Sequence, residues 1–202
     1  MKANLLRIAL VGFVWLGVLG CAELTAAVST ANAIVTADAV TAAAVVTAAP
    51  STSVRSSGVP DWGHPTKTAG CVAQGGLPDP ACTPGDIFPD ATKDKICVSG
   101  YSGTVRNVPT CEKAAVYAEY GITHRDTGQY EVDHFVSLEL GGSNDISNLW
   151  PELADPTPGF HQKDKVENYL HDQVCSGHLS VAEAQREIAT NWLDVYNQMP
   201  NK

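Results

Sequence analysis

Residues 130–165 read YEVDHFVSLELGGSNDISNLWPELADPTPGFHQKDK, and the reading of this stretch decides the fold. Asp133 and His134 are adjacent in a β-prone run, so their side chains leave an extended strand on opposite faces. Both serve one site only where the strand ends or bends. The loop signal Gly-Gly-Ser-Asn-Asp at 141–145 supplies such a place, and residues 146–151 read as a short returning strand. After the Pro-rich connection 155–159, Val166, Tyr169, Leu170 and Val174 recur at helical spacing, with His161 in the first turn of that helix. The expected product is a two-stranded ribbon followed by a helix whose start faces back towards the ribbon.

An Asp-His pair, an Asn at 148 and a second His at 161 are residue types that phosphodiester hydrolysis needs together. Such a reaction requires an activated water, a Lewis acid on the phosphate oxygens, and a group that holds the base in one tautomer. The ordered blocks DH, GGSN, NLWP and GFHQKDK resemble the HNH endonucleases, the ββα-metal family, in the secreted bacterial type whose first motif is Asp-His. A looser likeness extends from Ile87 to Trp192. The resemblance implies His134 as general base and Asp133 as a metal ligand. It implies Asn148 as the residue that holds the ribbon and the base imidazole, and His161 as the second protein ligand of one divalent ion. Lys163 or Lys165 would touch the scissile phosphate; Arg106 either projects towards it or is a salt-bridge partner of one of the many carboxylates. Some family members carry a further helix histidine where this chain has Lys165, so tight zinc binding is not expected. One carboxylate and one imidazole suit Mg²⁺ or Mn²⁺, with Zn²⁺ or Ni²⁺ as the alternatives.

The fold class expected is α+β: a ββα-metal core with added helices, stabilised by disulfides and preceded by a disordered Ala/Thr/Val-rich segment. Ser180 and Glu183 form a capping box that opens a helix to about Tyr196, with Val181, Ala184, Ile188, Trp192 and Val195 on its inner face. Residues 108–120 read as another helix. His64, His124, His171 and His178 follow no ligand pattern.

Lys2 and Arg7 precede a short apolar run, so residues 1–21 read as a signal peptide, too short for a confident membrane span. Val18-Leu19-Gly20-Cys21 approximates a lipobox, and a lipidated Cys21 would tether the chain to a membrane. Residues 22–60 read as a low-complexity linker and 61–202 as the nuclease-like domain, with its motif core at 129–175. Five further cysteines agree with export, secreted or anchored at the cell envelope. Cys71 and Cys82 bracket a loop they can close, and Cys97 and Cys175 would staple the front of the domain to the His161 helix. Cys111 is then expected to keep its thiol.

The chain carries thirteen Lys and Arg against twenty-two Asp and Glu, a net charge of −9. That is the reverse of the basic footprint of a protein that grips nucleic acid by neutralising phosphates. A nucleic-acid substrate, DNA or RNA, would therefore be bound weakly, without sequence preference and in a salt-sensitive way. Two other classes compete. A catalytically silent cell-surface binding module on the same fold would be indifferent to loss of His134. A secreted scaffold in which Asp133 and His161 hold a structural ion would melt lower without metal and never show activity. No protein partner is legible in the sequence.

Overall fold

The computed structural model describes residues 62–200. The signal-like segment, Cys21 and the low-complexity linker lie outside the described residues. At the centre is an antiparallel ribbon of β1 (Tyr130–His134) and β2 (Leu149–Leu153), with Tyr130 opposite Leu153 and His134 opposite Leu149. The period of two sends Val132 and Leu149 to one side, where Val116 and Tyr117 of α3 (Thr110–Glu119) cover them. Trp150 points to the other side, into the main core. That core is closed by α4 (Phe160–Ser176) and α5 (Val181–Gln198). Two short helices, α1 (Lys93–Ile96) and α2 (Tyr101–Val105), precede α3. The architecture is thus α+β, as the sequence implies.

The inner stripe of α4 consists of Val166, Leu170 and Val174, all fully buried, and Tyr169 only flanks it. Ala184, Ile188 and Trp192 of α5 meet that stripe. Burial of each large apolar side chain contributes about 1.5–3 kcal/mol, so these contacts and not helix propensity hold the two helices together. The capping box at the start of α5 is formed: Glu183 N–H donates to Ser180 Oγ at 3.2 Å, and Ser180 N–H to Glu183 Oε2 at 2.8 Å. At Asn191 the backbone leaves helical geometry, and α5 kinks there before running on to Gln198.

The returning strand begins later than the sequence suggests. Residues 146–148 form a 3₁₀ turn, because Asp145 accepts from Ser147 N–H at 2.9 Å and tightens the chain before it extends. Asn148, 0% exposed, is the clamp of the loop that joins the strands. Its Oδ1 accepts from Val136 N–H at 2.8 Å, and its Nδ2 donates to Ser143 O at 2.8 Å and Val136 O at 3.0 Å. Gly142 lets the loop close on itself: a Cβ there would lie 1.8 Å from Val136 O.

Disulfides join Cys71 to Cys82 and Cys97 to Cys175, the pairs expected. The expectation for Cys111 is corrected, since it is disulfide-bonded too and no cysteine among the described residues keeps its thiol. It sits in the first turn of α3, where the sequence alone offered it no partner.

Candidate active site

His134 ends β1, and its ring lies on the side of the ribbon away from Asp133, against Asn144. The Asn144 amide has one possible orientation. Its Oδ1 accepts from Asn107 N–H at 3.0 Å and its Nδ2 donates to Val105 O at 2.8 Å, so backbone groups at the end of α2 and just after it fix which end is oxygen. Oδ1 lies 3.2 Å from His134 Nε2, which must therefore carry the ring proton and donate it. The lone pair is left on Nδ1, a buried atom with no protein partner. Burial is the main reason that the His134 pKa falls to about 4; the positive charges of Arg106 and Lys163 add to this, and Asp133 and Asn144 oppose it. At neutral pH the ring is an uncharged base with its acceptor atom defined.

On the opposite face Asp133 meets α4. Lys163 is 0% exposed, and its Nζ donates to Asp133 Oδ2 at 2.6 Å, to His134 O at 2.8 Å and to Glu167. Ser137 Oγ donates to the other oxygen of Glu167 at 2.8 Å. Burial acts against the charge on Asp133, but the Lys163 ammonium outweighs it and holds this carboxyl below its ordinary range. Glu167 rises to about 7, through burial first and the repulsion of Asp133 second. Glu152 of β2 lies 1% exposed against Asp133, and burial raises it well above the usual carboxylate range. One ammonium thus pairs with two buried carboxyl groups, Asp133 and Glu167, and its charge opposes the rise of Glu152.

This arrangement corrects the assignment of Lys163 to substrate phosphate. Its ammonium is fully enclosed and its hydrogens are committed to acceptors within the fold. Asn148 is corrected in part: it holds the loop, but the imidazole is held by Asn144. Lys165 is exposed on α4 and makes no ion pair among the described residues. Arg106, exposed just after α2, acts electrostatically on His134, Glu131 and Asp164 together, which places its charge beside the ribbon end. His161 is exposed in the first turn of α4, its ring 4.3 Å from that of Phe160.

A divalent ion on Asp133 would have to share that carboxylate with Lys163. Asp133 spends Oδ2 on Lys163, and the ammonium supplies the cation that the carboxylates attract. The three ligand-type side chains that do converge among the described residues are Cys97, His171 and Cys175. His171 and Cys175 lie about 15 Å and about 21 Å further along α4 from His161, at 1.5 Å per residue. Asn144, Glu152 and Glu167 were not singled out in the sequence. Asn144 belongs to the GGSN block and reads there as a turn residue; Glu167 stands four residues after Lys163, a spacing that signals a helical ion pair. A scan against protein-family models and searches of curated proteins and of solved structures found no match to this chain.

Proposed function

We propose that the chain is a phosphodiester hydrolase acting on nucleic acid outside the cytoplasm, an endonuclease of the HNH type with His134 as its base. The observation that carries the reading is the His134 imidazole, neutral at physiological pH and restricted to one tautomer by Asn144 at the end of a ribbon that leads into α4. Water gives its proton to Nδ1 and its oxygen attacks phosphorus in line; the P–O3′ bond breaks, and the departing oxygen takes a proton from solvent. Arg106 is an accessible cation beside this end of the ribbon, suited to the phosphate, and Lys165 is exposed two residues after Lys163 on α4. The disulfides favour an oxidising compartment. The divalent ion that the resemblance implies, Mg²⁺ or Mn²⁺, has to compete with Lys163 for Asp133, which makes metal dependence the first variable to assay.

A second reading, a binding module without catalysis, draws on two observations. His134 is only 1% exposed, and an internal ammonium fills the cation position. Plasmid and RNA cleavage by purified protein with Mg²⁺, Mn²⁺ or EDTA, beside His134→Ala, separates the two. Cleavage that is lost in the variant supports the hydrolase. A folded protein that cuts neither nucleic acid with any metal leaves the binding module.

A further inference from the structure

The geometry points to Cys97, His171 and Cys175 as a zinc-type metal site that the Cys97–Cys175 disulfide keeps closed and that reduction opens. His171 and Cys175 stand one turn apart on α4, and Cys97 caps the end of α1 directly opposite them. The two sulfurs and an imidazole nitrogen all lie within 4.8 Å of one another, and each residue is half-buried. His171 Nε2 is 3.4 Å from Cys175 Sγ. A tetrahedral ion with Zn–S near 2.3 Å and Zn–N near 2.0–2.1 Å separates its sulfur and nitrogen ligands by about 3.5 Å, which is the spacing already present between His171 and Cys175. The sulfurs have to part, to about 3.8 Å, by side-chain rotation.

In the oxidised chain the sulfurs are a cystine and not thiolates, and His171 Nε2 donates its proton to Ile96 O at 3.0 Å. Opening the site is a two-electron step. A phosphine reductant attacks one sulfur and releases the other as thiolate; water then cleaves the phosphorus–sulfur bond, giving phosphine oxide and, with both water protons, two thiols. Binding of the cation displaces the two thiol protons to solvent and shifts the ring proton of His171 to Nδ1, so that Nε2 becomes a ligand. Two thiolates and one imidazole select a borderline or soft cation over Mg²⁺, and the fourth position stays open to water. The site is independent of the hydrolase reading, because it uses none of the groups at the ribbon end.

The test is a titration of the full chain with Co²⁺ after phosphine reduction, followed by competition with Zn²⁺, in wild type and in His171→Gln. The Gln variant keeps an N–H donor for Ile96 O and loses the imidazole ligand, and its disulfides are intact when it is purified. Reduced wild type is expected to take up one Co²⁺ with a thiolate-to-cobalt charge-transfer band, and to exchange it for Zn²⁺. The oxidised chain should bind none, and His171→Gln should bind at least about tenfold more weakly. Equal affinity in the variant would assign the metal to other cysteines and overturn the proposal. A reduced chain that stays unfolded with the metal present also overturns it, because a ligand of the native arrangement must draw the equilibrium towards the fold.

Discussion

Replacement of Lys163 by methionine tests the account of the ribbon end most directly. Methionine keeps an unbranched side chain of similar length in the same enclosed space, so the change removes an ammonium and little volume. Three acceptors lose their donor: Asp133 Oδ2 at 2.6 Å, His134 O at 2.8 Å and Glu167. Breaking one side of a buried ion pair costs about 3–5 kcal/mol, because the remaining charge is left without a counter-charge. The loss is not uniform in pH. Glu167 has its pKa near 7 with Lys163 in place, and without it both Glu167 and Asp133 are driven higher. Each carboxyl that takes up a proton in the variant's folded state and not in the wild type's adds about 1.4 kcal/mol to the difference per pH unit. The destabilisation should therefore be largest at pH 8 and shrink towards pH 6. Urea unfolding followed by the fluorescence of the buried Trp150 and Trp192, with disulfides intact, measures it. A cost below about 1 kcal/mol that does not vary with pH would refute the picture of one ammonium neutralising buried carboxylates.

The buried His134 should weaken the fold in acid. Its folded pKa of about 4 lies below the value near 6.5 of an unfolded chain, so the unfolded state binds more protons between the two and stability falls as pH drops through that window. The full penalty is about 3 kcal/mol, and His134→Gln should flatten the pH 4.5–6.5 limb of a denaturation profile by a comparable amount. Asn144→Ala should cost about 1–2 kcal/mol in the same assay and lower the nicking rate about ten- to a hundredfold, because the ring then samples both tautomers; an unchanged rate would detach Asn144 from the base. Serine at both Cys97 and Cys175 opens a closure of 78 residues, against 11 for Cys71 and Cys82. The chain-entropy model gives about 4.5 and about 2.7 kcal/mol, so thermal melting should show the larger drop for the first pair.

Much of this could be read from residue spacing because it is local. Ser180 and Glu183 stand three apart, Val166, Leu170 and Val174 recur at one turn, and each does in the fold what that spacing dictates. The burial of Lys163 was legible too, since it lies three residues before Val166 on the same stripe; a lysine beside a motif histidine invites a role at the surface instead. Asn144 was out of reach for a different reason. Its function depends on where residues 105–107 pass, 37 and 39 positions away in the chain, and no local period encodes that. The late start of β2 follows from a side-chain bond of Asp145 that competes with strand pairing, an effect that apolar patterning does not contain.

The Asn144 amide is held by the two ends of one short peptide stretch, Val105 O and Asn107 N–H, and by nothing else among the described residues that fixes its sense. If that stretch lifts away, the amide is free to turn over and present its NH₂ to the ring. His134 then accepts at Nε2 and carries its proton at Nδ1, the atom that was to receive one from water. The position of a three-residue segment thereby sets the address of a proton. A ligand drawn to the neighbouring Arg106 would act on the base without touching it.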